Sequence, residues 1–237
     1  MFMLEPTPVL LAHADGSLAS TPFTPGSLAA KDPFDRLIAY AGADGMAAGV
    51  VRASGRFSVD EYPFSETIVV HAGAVTLRSQ GQTLQLTPGE SAVIGRGTAL
   101  KVEAQPGSLW AFCADTQLVE EPHPGLTALP AHTLLSPSAP PDDEILLSPP
   151  PQCRSHNLFV EDASNLRIGI WDSTPYTRRS RPHKLHELMH LLEGSVTLQA
   201  AGGSNLTVNT GDTVFVPLNA PCAWKSSVYV RKVYVVR

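Results

Sequence analysis

From residue 46 onward the apolar residues fall in short runs rather than at helical spacing. Gly49-Val-Val-Arg52, Thr67-Ile-Val-Val-His71, Ala74-Val-Thr-Leu-Arg78, Thr83-Leu-Gln-Leu86, Ser91-Ala-Val-Ile94 and Leu109-Trp-Ala-Phe112 are separated by short turns. Runs rich in β-branched and aromatic residues, spaced ~8–12 residues apart, indicate an all-β sandwich or barrel. Gln80-Gly81, Pro88-Gly89 and Gly95-Arg-Gly97 stand between runs, where hairpins need residues that accept tight or left-handed backbone. A first β unit is therefore expected over residues 34–114, with one short helical turn over Phe34–Ala41.

The β pattern returns over residues 158–237, in Leu166-Arg-Ile-Gly-Ile-Trp171, Leu188–Leu192, Ser195-Val-Thr-Leu198, Leu206-Thr-Val208, Thr213-Val-Phe-Val216 and Val228–Val236. The halves align. Glu66 precedes Gly73 as Glu187 precedes Gly194, and Gly89-Glu-Ser-Ala-Val-Ile-Gly95 matches Gly211-Asp-Thr-Val-Phe-Val-Pro217, at offsets of 121 and 122 residues. Two anchors that agree to within one residue indicate an internal duplication.

The flanking segments read differently. Residues 1–33 are rich in Pro, Ser, Thr and Gly and are expected to form an extended arm lying across a neighbouring domain or subunit. Residues 115–157 carry repeated prolines, ending in Pro149-Pro-Pro151, and read as a stiff linker that can run along a domain. Within it, Asp142-Asp-Glu-Ile-Leu-Leu147 suits a short strand or a helical turn with a solvated acidic face.

Composition narrows the class of function. A net charge of −5 and a pI near 5.9 give no electrostatic footprint for nucleic acid. The one basic cluster is Arg178-Arg-Ser-Arg181, which is either a solvated turn or the source of a guanidinium at a pocket mouth. No apolar run reaches the ~18 residues of a membrane span, and Met1-Phe-Met-Leu-Glu-Pro6 lacks the character of a signal peptide. Cys113, Cys153 and Cys222 are too few and too widely spaced for a disulfide framework. A cytoplasmic protein without membrane or nucleic-acid partners is expected, as a monomer or homodimer.

Leu192-Glu-Gly-Ser-Val-Thr197, Trp224 and Val230-Arg-Lys-Val-Tyr-Val-Val236 resemble the RmlC-like cupin superfamily. The likeness is strongest to its subgroup related to the ethanolamine-utilisation cupin and ureidoglycine aminohydrolase. The resemblance implies two tandem jelly-roll barrels in a bicupin arrangement. It also implies metal positions. Glu187 falls on the first-motif glutamate and His183 on the second histidine, while Arg181 stands at the first histidine and Cys222 at the histidine of the second motif. In the first barrel Glu66 is present, but Asp60, Tyr62 and Leu100 replace the histidines, and no metal is expected there.

His186-Glu-Leu-Met-His190 also fits a zinc-protease signature, which works on a helix because residues four apart share a face. On a strand the same residues lie ~13 Å apart, and the β pattern around them favours a strand. Alternation then directs Glu187, Met189 and Leu191 inward and Leu188, His190 and Leu192 outward. The expected ligand pocket comprises Trp171, Arg181, His183, Glu187, Met189, Cys222, Trp224 and Tyr234. The candidate metal set is His183, Glu187 and Cys222, with His186 as an alternate, suited to zinc, iron or manganese if a metal is held at all. Three functions fit these residues: a bicupin that binds a small polar molecule without a strongly held metal, a metal-dependent enzyme acting on a ureido or amide compound, and a purely structural barrel.

Overall fold

A computed structural model describes residues 6–200 and 203–237; the first five residues of the arm lie outside the described set. The described chain forms strands β1 (Val9–Ala12), β2 (Thr24–Gly26), β3 (Arg36–Ala41), β4 (Met46–Val59), β5 (Ser65–Ala72), β6 (Val75–Ser79), β7 (Gln82–Leu86), β8 (Ser91–Gly95), β9 (Leu100–Asp115) and β10 (Gly125–Ala128). After these come β11 (Ser136–Ser138), β12 (Cys153–Glu161), β13 (Leu166–Ser173), β14 (Tyr176–Pro182), β15 (Glu187–Glu193), β16 (Ser195–Ala200), β17 (Asn205–Asn209), β18 (Thr213–Val216), β19 (Pro221–Ser226) and β20 (Val230–Val236). Among the described residues no helix is long and apolar enough to cross a membrane.

Two barrels result. In the first, β10-β8-β5-β9-β4-β3-β2 form one sheet, and the hairpin of β6 and β7 joins it through the pairing of β6 with β9. A register shift at Ala53/Gly55 divides the long β4–β9 pair into two segments, as expected where a bulge turns strands from one sheet face to another. In the second, β1-β18-β15-β20-β13-β12-β11 form one sheet and β14-β19-β16-β17 the other.

Central strands of the two large sheets divide their side chains between a barrel interior and the join between barrels. On β9, Trp110, Phe112 and Ala114 fill the first barrel, whereas Leu109, Ala111 and Cys113 pack against Ile168, Ile170, Leu188, Phe215, Val233 and Val235 of the second. Burying two apolar sheet faces against each other is the sandwich solution applied between domains.

Several expectations are corrected. Phe34–Ala41 contains strand β3 rather than a helical turn, because Arg36–Ala41 pairs along β4. The arm, expected to lie across a neighbouring domain or subunit, does cross between domains, and it is built into sheets at both: β1 pairs with β18 of the second barrel and β2 with β3 of the first. The segment read as a linker is divided between the barrels: β10 pairs with β8, β11 with β12, and β12 itself begins at Cys153, inside the stretch expected to be linker. Within Asp142–Leu147, expected as a short strand or a helical turn, the second alternative holds: a single 3-10 turn forms over Asp143–Ile145.

Candidate functional site

The second barrel encloses a cavity of about 340 Å³. Its apolar walls come from strand alternation: Met189 on β15, Leu198 on β16, Val216 on β18, Cys222 and Trp224 on β19, and Trp171 on β13. Trp224 stacks on Tyr176 at 5.4 Å and meets Trp171 edge-on at 6.0 Å. These contacts hold the indoles in fixed orientations.

Strand β14 departs from simple alternation. Arg178 pairs with Trp224 but Arg181 pairs with Cys222, so three steps on β14 oppose two on β19. This is a β-bulge, which inserts one residue and re-aims the side chains beyond it. Its consequence is that Arg178 and Arg181 both line the cavity, although an odd spacing on a regular strand would put them on opposite faces. Arg178 is buried and donates to the Cys222 carbonyl at 2.7 Å. Arg181 stands at the mouth, its guanidinium 3.2 Å from Asp142.

Deep in the cavity, Lys232 from β20 is 6% exposed. Its ammonium donates to Glu187 Oε1 at 2.7 Å and to Met189 Sδ at 3.1 Å, and lies 4.7 and 5.0 Å from the ring centres of Trp171 and Trp224. Carboxylate, thioether and two π faces thus share one cation. Burial works to raise the Glu187 carboxyl, but the Lys232 ammonium outweighs it and holds the group below its ordinary value.

His183 Nδ1 donates to the Leu185 carbonyl at 2.8 Å, which fixes the tautomer. Burial, aided by the positive Arg178 and Lys232, outweighs the pull of Glu187 and keeps the ring below its usual pKa, hence neutral. Its Nε2 lone pair consequently faces Glu187 Oε2 at 3.3 Å. Two acceptors 3.3 Å apart can both be reached by one donor group lying beside them.

The sequence-derived pocket is largely assembled: Trp171, Arg181, His183, Glu187, Met189, Cys222 and Trp224 line one cavity. Tyr234 does not line it; its hydroxyl donates to Asn157 Oδ1 on β12. His186 is turned away altogether. It accepts from the Leu218 amide at 3.0 Å, contacts Asp44 of the first barrel at 2.6 Å and stacks on Phe215. It lies one residue before Glu187 and faces the join between barrels, which removes it as an alternate ligand. Of the remaining candidate donors, His183 and Glu187 are adjacent. Cys222 donates its thiol proton to the Ala223 carbonyl at 3.3 Å, and burial, only partly offset by Arg178, pushes its pKa up to about 11. Among the described residues no three His, Cys, Asp or Glu side chains form a metal-sized group.

Lys232, Arg178 and Cys153 also line the cavity, and reasoning from the sequence did not place them there. For Lys232 a signal exists, since it shares a strand face with Tyr234. The bulge conceals Arg178, and the proline-rich surroundings conceal the strand that begins at Cys153.

The first barrel answers its glutamate differently. Glu66 accepts from Arg36 Nη2 at 2.9 Å and from the Tyr62 hydroxyl at 2.9 Å, and Arg36 also binds Asp32 at 2.6 Å. The Arg36 guanidinium lies 4.4 Å from the ring centre of Phe112, and Arg36, Tyr62 and Phe112 are all fully buried. Burial dominates and raises the Glu66 carboxyl despite the opposing Arg36.

Two jelly-roll barrels in tandem, each carrying a motif glutamate on an inner strand, define a bicupin. A family model for the EutQ-like cupin domain matches residues 160–234. The chain belongs to the DUF861 family: it is 56% identical to a protein of unknown function of that family from Pseudomonas syringae pv. tomato str. DC3000, with 98% of this chain and 100% of that one covered and a TM-score of 0.96. A cupin 2 conserved barrel domain protein from Leptotrichia buccalis has 11% identity, coverage of 84% and 86%, and a TM-score of 0.59. Ylba from E. coli, also of DUF861, has 15% identity, coverage of 100% and 93%, and a TM-score of 0.51. No curated protein matches the chain.

Proposed function

We propose that the C-terminal barrel binds a small anionic molecule, held by protein cations rather than by a transition metal. The observation that carries this reading is the Lys232 ammonium on Glu187 at 2.7 Å. A lysine already supplies the positive charge that a metal would bring to the motif glutamate, and an added divalent ion beside it would be repelled. The donor set fits an ion poorly for a second reason: the Cys222 thiol points to the Ala223 carbonyl at 3.3 Å and forms no three-donor group with His183 and Glu187 among the described residues. Around the cavity, Arg178, Arg181, Lys184 and Lys232 outnumber the carboxylates Glu187 and Asp142, so an anion is favoured. The facing acceptors of His183 and Glu187 would take an N–H or O–H on that molecule.

A metal-dependent enzyme acting on a ureido or amide compound is the second reading. It is favoured by the His183 tautomer, because a ring that donates Nδ1–H to a carbonyl presents Nε2 as a ligand is presented in metal sites. Metal content of protein purified without chelator or affinity tag, combined with thermal shift against small carboxylates and their neutral amides, separates the two. The anion reading expects substoichiometric metal and stabilisation by carboxylates that Lys232→Met abolishes. Stoichiometric metal that Glu187→Gln releases would overturn it.

A further inference from the structure

We propose that Arg181 and Lys184 form a second anion subsite at the mouth of this barrel, occupied in the free protein by Asp142, and that the ligand is a small dicarboxylate whose distal carboxylate displaces it. The inference rests on the reading of the barrel as an anion compartment and names its ligand class.

The segment between β11 and β12 crosses the mouth as a strap pinned at both ends. Ser138 pairs with Cys153 at one end. At the other, Leu146 bridges to Arg178 and the Leu147 amide donates to the Thr177 carbonyl at 2.8 Å. Between the pins, Pro140 and Pro141 form part of the cavity wall, which brings Asp142 to the rim. A single oxygen of Asp142 accepts from both Arg181 Nη1 and Lys184 Nζ, each at 3.2 Å.

Three features mark this as a place for a ligand group. The bulge in β14 turns Arg181 toward the cavity, so its charge is within reach of a group bound there. Asp142 and Lys184 are 63% and 68% exposed, and exposed ion pairs of this kind are weak, so the contact is replaceable. A ligand carboxylate could engage the Arg181 fork with two oxygens, where Asp142 uses one. Arg178 in the depth and Arg181 at the rim are three residues apart, but the bulge sets those three steps against two of β19, roughly 7 Å along the strand, a span that suits dicarboxylates of about four to six carbons.

Isothermal titration of the full chain with succinate, glutarate and adipate, against butyrate and pentanoate, tests the proposal. Asp142→Asn should tighten the dicarboxylates by about fivefold, the scale of an exposed ion pair, and leave monocarboxylates unchanged. Lys184→Met should weaken the dicarboxylates alone. Unchanged dicarboxylate affinity in Asp142→Asn, or equal tightening of both series, overturns the subsite while monocarboxylate binding keeps the compartment intact. Absence of binding by either series overturns the compartment and the subsite together.

Discussion

Lys232 reaches Glu187 at 2.7 Å across the β15–β20 pair inside the second barrel, and the corresponding glutamate of the first barrel, Glu66, is met by Arg36 at 2.9 Å. The two cations come from unrelated places, one from the last strand of its barrel and the other from the start of β3. The duplicated glutamate has thus been neutralised twice by independent means.

Removing only one partner of such a pair leaves a buried charge uncompensated. Lys232→Met is expected to destabilise the protein by about 2–4 kcal/mol, discounted because Glu187 borders the cavity. The double variant Lys232→Met/Glu187→Gln should recover most of that loss. Urea unfolding of the two single variants and the double variant reads the coupling directly.

Arg36→Met should cost more, about 3–5 kcal/mol, because both Asp32 and Glu66 then lose a partner without solvent to replace it. Carboxylate binding to the second barrel should persist, as Arg36 lies in the other one. Denaturant unfolding and titration calorimetry on one preparation separate the two effects.

Acid should weaken the join between barrels. His71 Nδ1 contacts the His13 carbonyl at 3.0 Å, which leaves Nε2 to accept from Thr213 at 2.8 Å, while Thr213 in turn meets His190 Nδ1 at 2.9 Å. With both rings neutral, Thr213 donates to His71 and accepts from His190, so every contact is satisfied. Burial, with His71 adding to it, lowers His190 to about 3, and burial also lowers His71 against the pull of the nearby His13 carbonyl and Asp212. Both folded values lie below the unfolded one of ~6.5, so the unfolded chain binds more protons below that pH. Stability should be full above about pH 6.5 and fall toward pH 3, by up to ~1.4 kcal/mol per pH unit for each proton. His190→Gln should flatten that slope in urea titrations between pH 4 and 7, and an unchanged slope would assign the acid sensitivity to other groups.

The arm should be needed for the second barrel although it precedes the first. Leu11 is completely buried on β1 beside β18. Leu11→Ala should cost about 2–4 kcal/mol through the cavity it leaves, measured as a lower urea midpoint.

Cys222 should resist alkylation. With its thiol raised to about 11 by burial, mildly alkaline iodoacetamide should label it far more slowly in the native protein than in urea, as read by peptide mass spectrometry. Fast native labelling would show that the cavity opens more widely than the strap implies.

The duplication, the strand character of both halves and most of one pocket wall were determined by the sequence alone. These are properties of local pattern: β-branched runs, glycine turns and the parity of a strand, which places Glu187, Met189, Cys222 and Trp224 without reference to any distant residue. The arm's attachment to the far barrel, the division of the linker between both barrels and the turning of His186 toward Asp44 were decided by tertiary structure. So were the two facts on which the chemistry depends. The bulge that brings Arg178 and Arg181 to one face is a mismatch between two paired strands and has no signature in either one. The choice of Lys232 as partner for Glu187 is a matter of reach across the barrel, which alternation permits but only packing selects.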